Sequence, residues 1–357
     1  MRVLTVLGAR PQIIKAAPVS RALRRNHEEF LLHTGQHYDD AMSDLFFRQL
    51  AIPAPDANLG VGSGGHGAQT GAMLAGVETV ALEHRPDWIL IYGDTNSTLA
   101  GALAGAKLHI PVAHVEAGLR SYDRRMPEEV NRVVADHVST LLLCPTETAV
   151  ANLLREGINT GVEMVGDVMF DAYLQNLEVA RGSCRILHEL ALQRGAYQLL
   201  TIHRAENVDR PDVLAAIVQG VTDSGRQVVF PVHPRTRAAL AAGGPSTAPN
   251  LRLIDPVGYL EMLVLEENAE AVVTDSGGVQ KEAYFAGRPC ITVRDRTEWV
   301  ETVAAGWNIL VGTDPGRIAE AMRNYRPTAL RPDLFGDGHA AERVVAALAA
   351  WEAQPIT

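Results

Sequence analysis

Short apolar runs recur along the whole chain and are separated by segments long enough to form helices. The first series comprises Arg2–Leu7, Phe30–Thr34, Trp88–Tyr92, Val112–Val115, Leu141–Cys144 and Val162–Val165. The second comprises Gln198–Ile202, Gln227–Pro231, Leu251–Ile254, Ala271–Thr274, Cys290–Val293 and Asn308–Val311. Runs this short and this apolar predict parallel strands that are buried on both faces. Two successive series therefore predict an α/β chain with two doubly wound domains.

The break between the two series predicts the domain boundary. A chain of 357 residues is too long for one ordinary core. The first series ends near Gly166–Asn176, where a charged helical stretch begins, so the boundary is expected there. The segment Ala340–Glu352 is apolar at helical spacing and, from its residues alone, could pack on either domain.

Charge and cysteine content narrow the class of protein. A formal net charge of −10 argues against a broad nucleic-acid-binding surface, which needs a basic patch. No stretch approaches about eighteen uncharged apolar residues, so no membrane span is expected. Cys144, Cys184 and Cys290 are far apart and odd in number, and no pair has the spacing of zinc ligands. We therefore expect a cytoplasmic protein with no metal site.

Glycine and polar residues follow several predicted strands, at the end where doubly wound sheets bind ligands. These segments are Gly8–Pro11, Gly93–Asn96, Glu116–Gly118, His203–Arg204 and Asp275–Gly278. If the carboxyl edges of the two sheets face each other, all of these segments line one interdomain cleft.

Three carboxylates stand out as candidates for acid–base chemistry. Asp94 and Glu116 each end an apolar strand, where a carboxylate must find partners or change its pKa. Glu128 follows Pro127 in a predicted first helical turn, where its alternative role is to stabilise the positive end of the helix dipole.

The pattern of that helix predicts which of its faces is buried. At about 100° per residue, one apolar stripe comprises Val130, Val133, Val134, Val138 and Leu141. Glu128 falls nearly opposite the stripe and Glu129 on its flank. We therefore expect Glu128 to point away from the core, with Asn131 and Arg132 close enough to orient it.

Two further segments have the residue types of an anion site. Ser276, Gly277 and Gly278 precede a predicted helix, whose backbone N–H groups could bind a diphosphate, although an ordinary turn with a serine cap has the same pattern. His203 and Arg204 follow an apolar strand and could grip the same group.

The alternative for Arg204 is a structural ion pair with Glu206. His233 adds a cation to the same edge, while Arg10 and Lys15 place two cations near the opposite wall. Neither a Walker loop nor a GxGxxG sequence after a strand occurs.

Acids beside bases favour proton transfer on a substrate that carries an anionic leaving group. General acid–base help contributes typically about 10²- to 10⁴-fold in rate. A sugar C2–H is barely acidic, so stabilisation of a departing diphosphate would have to supply much of the rest.

The motifs taken together identify a family. They are GARPQIIKAAP, HTGQHYD, YGDTNSTLAGALA, HVEAGLRS, MPEEVNR, TIHRAEN, HPRTR, DPVGYLEM, TDSGGVQKEA and RDRTEWVE. In this order, over almost the whole chain, they resemble the non-hydrolysing UDP-N-acetylglucosamine 2-epimerase family. The resemblance implies two Rossmann-like domains in a GT-B arrangement, with a C-terminal helix that returns to the first half. The domains are then 1–168 with the helix at about 341–357, and 169–340.

The resemblance also implies a two-stage reaction without a redox cofactor, in a homodimer. UDP leaves C1 while the C2 proton is removed, which gives a 2-acetamidoglycal, and UDP then re-adds with a proton delivered to the other face. Asp94, Glu116 and Glu128 match the acid–base groups, with base and acid unassigned, and His203 assists near the diphosphate. The positions that match or border the UDP site are Arg10, Lys15, Arg204, His233, Ser276, Gly277, Gly278 and Glu282, of which Glu282 suits the ribose hydroxyls.

Two departures from the family pattern bear on regulation and substrate. Members regulated by a second UDP-sugar carry basic and amide residues where this chain has Tyr38, Asp39 and Ala68, so effector activation is not expected to follow from the resemblance. The sequences GARPQ and Thr297–Glu301 resemble the branch that acts on UDP-2,3-diacetamido-2,3-dideoxyglucuronate. Arg120, Arg124 or Arg125 could pair with the carboxylate of that sugar.

Four readings therefore remain open from the sequence. The first is epimerisation of UDP-N-acetylglucosamine to UDP-N-acetylmannosamine, with the diacetamido uronate as the alternative substrate. A GT-B glycosyltransferase would need a similar fold and diphosphate site, but three carboxylates in the first half fit it poorly. A hydrolysing epimerase would release UDP, and a sensor that only binds the nucleotide sugar would not need the carboxylates.

Overall fold

The computed structural model of the chain describes residues 1–36, 53–242 and 248–352. The chain forms two compact units, Met1–Ala172 with Phe335–Thr357 and Tyr173–Leu334. Each contains a parallel sheet with helices, so the predicted α/β class with two doubly wound sheets is confirmed.

The first unit begins with strands and helices in alternation. Its strands are β1 (Arg2–Leu7), β2 (Glu28–His33), β3 (Ala57–Asn58), β4 (Trp88–Tyr92), β5 (Val112–Val115), β6 (Leu141–Cys144) and β7 (Val162–Met164). Its helices are α1 (Arg10–Leu23), α2 (His66–His84), α3 (Asn96–Leu108), α4 (Pro127–Val138) and α5 (Glu147–Arg155). The boundary between the units falls within α6 (Val168–Ser183).

The second unit repeats the alternation. Its strands are β8 (Gln198–Thr201), β9 (Val228–Pro231), β10 (Leu251–Ile254), β11 (Val272–Thr274), β12 (Cys290–Thr292) and β13 (Asn308–Leu310). Its helices are α7 (Ile186–Glu189), α8 (Ala205–Val208), α9 (Pro211–Asp223), α10 (Pro234–Ala242), α11 (Tyr259–Asn268), α12 (Gly277–Phe285), α13 (Val300–Ala304) and α14 (Pro315–Asn324). The chain ends in the first unit with α15 (Ala340–Glu352).

The strand orders show where ligands can bind. Within the described residues, the first sheet has the order β3-β2-β1-β4-β5-β6-β7 and the second has the order β10-β9-β8-β11-β12-β13. The order reverses between β1 and β4 in the first sheet and between β8 and β11 in the second. Crevices at such reversals, outside the carboxyl ends of the strands, bind ligands in doubly wound folds. Four of the candidate segments follow these strands: Arg10 lies after β1, Asp94 after β4, His203 after β8 and Ser276 after β11.

Complete burial of consecutive side chains confirms that the central strands are covered on both faces. Ile89, Leu90 and Ile91 of β4 are each 0 % exposed, although successive side chains of a strand point to opposite faces. The same holds for Leu199 and Leu200 of β8. The apolar runs therefore form strands because both of their faces are removed from water.

The C-terminal helix is joined to the first unit by a buried carboxylate. Asp171 of α6 accepts hydrogen bonds from the backbone N–H groups of Ala340 and Ala341, at 3.1 and 2.7 Å. It thereby caps α15, whose first N–H groups have no partner within the helix. Burial raises the pKa of Asp171 to about 6, although these two bonds oppose the rise. None of the helices in the described ranges is long and apolar enough to cross a membrane.

Candidate active site

Asp94 lies at the carboxyl end of β4, directly before the helix that Thr95 caps. Arg132 of α4 donates a hydrogen bond from Nη2 to Oδ2 of Asp94. Asn131 donates from Nδ2 to the backbone oxygen of Asp94 at 3.0 Å. The Asp94 side chain remains 32 % exposed, so it is held from one side by α4 and open on another.

Glu116 follows β5 and pairs with Lys15 of α1. The Lys15 Nζ donates to Oε2 of Glu116, and both side chains are largely buried, at 12 % and 6 % exposed. Glu116 has a φ of 71°, a left-handed conformation that costs a non-glycine residue on the order of 1–3 kcal/mol. Its backbone N–H donates to the oxygen of Leu143 at 3.1 Å, which helps to hold that conformation. Lysines on helices are usually solvated, and this one is not.

The groups that follow β1, β4 and β5 form one cluster in the first unit. A Cβ atom placed on Gly93 would lie 3.3 Å from Nζ of Lys15 and 3.4 Å from Oε2 of Glu116. Asp94 is the next residue in the chain. The structure therefore brings together Asp94, Glu116 and Lys15, and Arg132 joins them through α4.

The predicted buried stripe of α4 is wrong at Val130 but holds at its other end, where Leu141 is fully buried and Val138 packs against the core. Val130 is 45 % exposed, whereas the most buried residues of the helix are Glu129, Asn131, Arg132, Ala135 and Asp136. The inner face of α4 is mixed, because Ala135 and Val138 pack in the apolar core of the first unit whereas Glu129, Arg132 and Asp136 bind polar groups of neighbouring segments. Glu128 is exposed, as predicted, because the buried face of α4 contains Glu129 and Arg132 and not Glu128.

Glu129 is a structural anchor. Its carboxylate accepts hydrogen bonds from Ser121 N at 2.9 Å, Ser121 Oγ at 2.8 Å, Tyr122 N at 2.8 Å and Arg132 Nη1 at 2.6 Å. Burial acts to raise the pKa of Glu129, but these bonds outweigh it and lower the pKa. Arg132 thus bridges Glu129 and Asp94. The sequence pattern suggests Glu128 as the partner of Arg132 and does not identify this bridge.

The loop after β1 is fixed by a side chain of its own helix. Gln12 accepts from the N–H groups of Gly8 and Ala9, at 2.9 and 3.1 Å, and donates to the oxygen of Tyr92 at 2.8 Å. This ties the start of α1 to the end of β4. Arg10, the first residue of α1, is exposed, so its guanidinium group can reach a ligand.

In the second unit, Asp275 organises the residues that follow β8. It is fully buried and accepts hydrogen bonds from the N–H groups of His203 and Arg204 and from Nδ2 of Asn207, at 3.2, 3.0 and 3.0 Å. Nδ1 of His203 also lies 3.2 Å from Asp275 Oδ1. Burial acts to raise the pKa of Asp275, but the bonds from His203 and its neighbours lower it. An ionised Asp275 then accepts from Nδ1–H of His203.

Ser276, Gly277 and Gly278 form the start of α12. Oγ of Ser276 accepts from the N–H of Val279 at 3.4 Å, so the serine cap is present. A Cβ atom on Gly277 would lie only 2.4 Å from Oε1 of Glu298, whereas one on Gly278 would meet nothing closer than Ser276 Oγ at 3.8 Å. The Glu298 carboxylate therefore lies against the helix start.

Two arginines flank that carboxylate. Nη2 of Arg204 lies 3.9 Å from Oε1 of Glu298, and Nη1 of Arg294 donates to Oε2 at 3.3 Å. Glu206, the alternative partner for Arg204, lies 3.9 Å from Nε of Arg294. Glu298 and Arg294 were not identified from the sequence, because their position beside α12 depends on the packing of separate segments.

His233 and Glu282 differ in their exposure to solvent. His233 is exposed, and its Nδ1 accepts from the N–H of Arg235 at 3.3 Å. Glu282 is 6 % exposed, and burial together with the charge of Glu282 raises the pKa of Tyr259. Burial and the charge of Glu282 raise the pKa of the neighbouring Glu266.

Arg120 does not fit the role of a carboxylate receptor for the substrate. It is buried, with Nε and Nη2 donating to the two carboxylate oxygens of Glu156 at 2.6 and 2.7 Å, and Nη1 donating to Asp136 at 2.7 Å. Arg125 pairs with Asp123. Of the effector positions, Ala68 is exposed on α2, and Tyr38 and Asp39 lie outside the described residues.

Comparison with known proteins shows one family. The sequence model of the UDP-N-acetylglucosamine 2-epimerase family matches residues 21–349. A UDP-N-acetylglucosamine 2-epimerase homolog of Methanococcus maripaludis is 52 % identical, with 98 % of this chain and 99 % of that protein covered. The UDP-2,3-diacetamido-2,3-dideoxy-D-glucuronate 2-epimerase of Pseudomonas aeruginosa is 48 % identical, with 98 % and 99 % covered.

Among solved structures, the UDP-GlcNAc 2-epimerase of Methanocaldococcus jannaschii, in complex with UDP-GlcNAc and UDP, superposes with a TM-score of 0.88. Its sequence is 45 % identical, and the match covers 98 % of this chain and 100 % of that one.

Proposed function

This chain belongs to the UDP-N-acetylglucosamine 2-epimerase family, and on that basis we propose that it converts UDP-N-acetylglucosamine to UDP-N-acetylmannosamine without hydrolysis. The enzyme is an isomerase. The single observation that carries the site assignment is the cluster in which Asp94 and Glu116 are each held by a cation, Arg132 and Lys15.

The proposed reaction has two stages. A carboxylate removes the C2 proton while the C1–O bond breaks, the electron pair of the C–H bond forms the C1=C2 double bond, and UDP leaves with the bonding pair. A proton then returns to the opposite face of C2, and a phosphate oxygen of UDP re-forms the bond to C1. Inversion needs a proton donor or acceptor on each face, which favours a site with several carboxylates.

The geometry of the first unit supports acid–base roles for Asp94, Glu116 and Glu128. Arg132 and Lys15 fix the direction in which Asp94 and Glu116 present their carboxylates. Preorganised groups of this kind contribute about 10²- to 10⁴-fold in rate. Glu128 is exposed and on the helix that carries Arg132, so it can approach a ligand without breaking a buried contact.

The geometry of the second unit supports binding of the diphosphate. The start of α12 presents backbone N–H groups, and Arg204 lies beside it. Asp275 lies beside Nδ1 of His203 and orients the ring; a protonated His203 then has Nδ1–H directed at Asp275 and Nε2–H available to donate to a phosphate oxygen of the leaving group. Stabilisation of the departing diphosphate offsets the low acidity of C2–H. His233, Gly278 and Glu282 are the other UDP-binding residues proposed in the second unit, and Arg10 and Lys15 of the first unit are proposed as UDP contacts from the family resemblance alone.

The diacetamido uronate is the second candidate substrate, because the Pseudomonas aeruginosa relative at 48 % identity has that activity in its name. We place UDP-N-acetylglucosamine first, because several relatives carry that activity in their names. Of the arginines offered as receptors for the uronate carboxylate, Arg120 and Arg125 have carboxylate partners within the chain, and Arg124 is exposed.

The test is incubation of the purified chain with each substrate in D₂O, followed by NMR. The expected result is a C2 epimer that carries deuterium at C2, with no accumulation of free UDP. Absence of deuterium from C2 with both substrates would refute epimerisation, and UDP released in proportion to sugar would show a hydrolysing enzyme.

We further propose a homodimer in the cytoplasm. The assembly rests on the family resemblance, and the location on the three free thiols Cys144, Cys184 and Cys290. Light scattering coupled to gel filtration checks the assembly, and a mass equal to one chain would contradict it.

A further inference from the structure

We propose that Asp136 and His114 are positioning residues that fix the three acid–base segments of the first unit relative to one another. The inference rests on the proposed function, because it concerns where Asp94, Glu116 and Glu128 present their carboxylates.

Asp136 joins two of these segments directly. It lies on α4, the helix that carries Glu128 in its first turn, and its Oδ2 accepts from the N–H of Gly118 at 3.1 Å. Gly118 is two residues after Glu116. Oδ1 of Asp136 lies 2.7 Å from Nδ1 of His114, which is two residues before Glu116 on β5. One carboxylate of α4 therefore holds the chain on both sides of Glu116.

His114 extends the connection to the third segment. Its Nε2 lies 2.7 Å from the backbone oxygen of Gly93, the residue that precedes Asp94. A carbonyl oxygen can only accept, so Nε2 carries the proton of this bond. A continuous chain of hydrogen bonds thus joins the Asp94 loop to α4, from the backbone oxygen of Gly93 through the His114 ring to the Asp136 carboxylate.

Burial makes these bonds hard to replace. His114 is 0 % and Asp136 1 % exposed, so water has no access that would compensate for a lost partner. Burial acts to raise the pKa of Asp136, but hydrogen bonds and charge from His114 and Arg120 outweigh it and lower the pKa. Arg120 is itself held by Glu156, at the end of α5.

The backbone conformation of Glu116 is what the hydrogen bonds to Asp136 are proposed to hold in place. Its φ of 71° persists only where neighbouring contacts over-determine it. The bonds of Gly118 and His114 to Asp136 act on either side of that residue. Displacement of a reacting group by about 1 Å costs on the order of 10²-fold in rate.

The experiment compares Asp136→Asn with Asp171→Asn as a matched control. Asp171 is another buried aspartate of the first unit that accepts backbone N–H groups, from Ala340 and Ala341, away from the carboxylate cluster. The readouts are kcat and KM for C2 deuterium exchange, measured at a temperature where circular dichroism shows both variants folded.

For Asp136→Asn we expect kcat to fall about 10²-fold, with KM within about threefold, because the reacting groups of the first unit move while the UDP contacts proposed in the second unit stay. For Asp171→Asn we expect kcat within about twofold of wild type. Equal losses that follow the folded fraction in both variants would overturn the inference, and so would wild-type turnover by folded Asp136→Asn.

A second pair of variants applies if Asp136→Asn does not fold. His114→Gln retains an N–H donor that can reach the Gly93 oxygen, and His114→Ala does not. We expect kcat of His114→Gln to exceed that of His114→Ala at least tenfold, because only the glutamine can keep the hydrogen bond that positions the Asp94 loop. Equal kcat in the two folded variants would overturn the role of this contact. A wild-type chain that exchanges no C2 proton would instead refute the proposed function itself.

Discussion

Gly277 offers the sharpest test of the diphosphate site, through the substitution Gly277→Ala. The added Cβ would lie 2.4 Å from Oε1 of Glu298, whereas ordinary contacts begin at 3.4 Å, so the carboxylate must retreat by 3.4 − 2.4, about 1 Å. That movement disturbs the contacts of Glu298 with Arg204 and Arg294, at 3.9 and 3.3 Å. Because Glu298 lies against the start of α12, its displacement also changes the charge beside the backbone N–H groups that are proposed to bind the diphosphate.

The expected effect is on binding and not on stability. Alanine is favoured over glycine in a helix by about 1 kcal/mol. This gain offsets the loss of a partly exposed ion pair, which contributes about 0–1 kcal/mol to the free energy of unfolding. One hydrogen bond to a charged oxygen contributes about 1.5–3 kcal/mol. Because about 1.4 kcal/mol is tenfold in Kd, UDP should bind roughly 10- to 150-fold more weakly.

The assay is titration calorimetry with UDP, together with thermal unfolding. Gly278→Ala is the matched control, because its Cβ meets nothing closer than Ser276 Oγ at 3.8 Å and leaves Glu298 in place. Its loss of affinity should be smaller. Wild-type affinity in Gly277→Ala, or a greater loss in Gly278→Ala, would refute the reasoning.

Three more substitutions test other parts of the chain. Asp94→Asn should slow C2 deuterium exchange about 10²- to 10⁴-fold with UDP affinity retained, and an unchanged NMR exchange rate would exclude Asp94 from catalysis. Asp171 has a folded pKa of about 6 against 3.8, so its stabilisation is complete below pH 3.8 and is lost as pH rises through about 6. One pKa unit corresponds to about 1.4 kcal/mol, so the free energy of unfolding should fall by roughly 3 kcal/mol over this pH range. Asp171→Asn should remove this pH dependence when unfolding by urea is measured at several pH values, and the same pH dependence in the variant would contradict the assignment. Gly8→Ala places a Cβ 1.9 Å from Ser97 Oγ, and overpacking should cost about 1–3 kcal/mol, which an unchanged Tm would disprove.

The strands and the edge that carries the site could be predicted because they depend on local pattern. The run Trp88–Tyr92 has the predicted bounds, and Asp94 follows it at the carboxyl end. Several other strands differ from the prediction by one or two residues at an end; β2, for example, runs from Glu28 to His33 rather than from Phe30 to Thr34. Strand ends depend on which backbone groups find partners in the neighbouring strand, and a single run does not specify them.

Helix α4 could not be predicted in its orientation. Its valines suggested an apolar inner face, yet Val130 is 45 % exposed and Asp136 is buried. A hydrophobic pattern identifies the inner face only where a helix covers an apolar layer. Here α4 covers charged and polar groups as well as the apolar core, so polar residues share its buried face with Ala135 and Val138. The histidine within the apolar run Val112–Val115 was the signal that a buried polar partner had to exist.

The sequence by itself determined the α/β class and the residue types at the strand ends, and its motifs identified the family, because strand burial and turn chemistry are properties of adjacent residues. Only the tertiary structure decided the partners: Lys15 with Glu116, Arg132 with Asp94 and Glu129, and Glu298 against Gly277. These groups are far apart in the chain, and their charges become strongly coupled only when folding brings them within a few ångströms and removes the water between them.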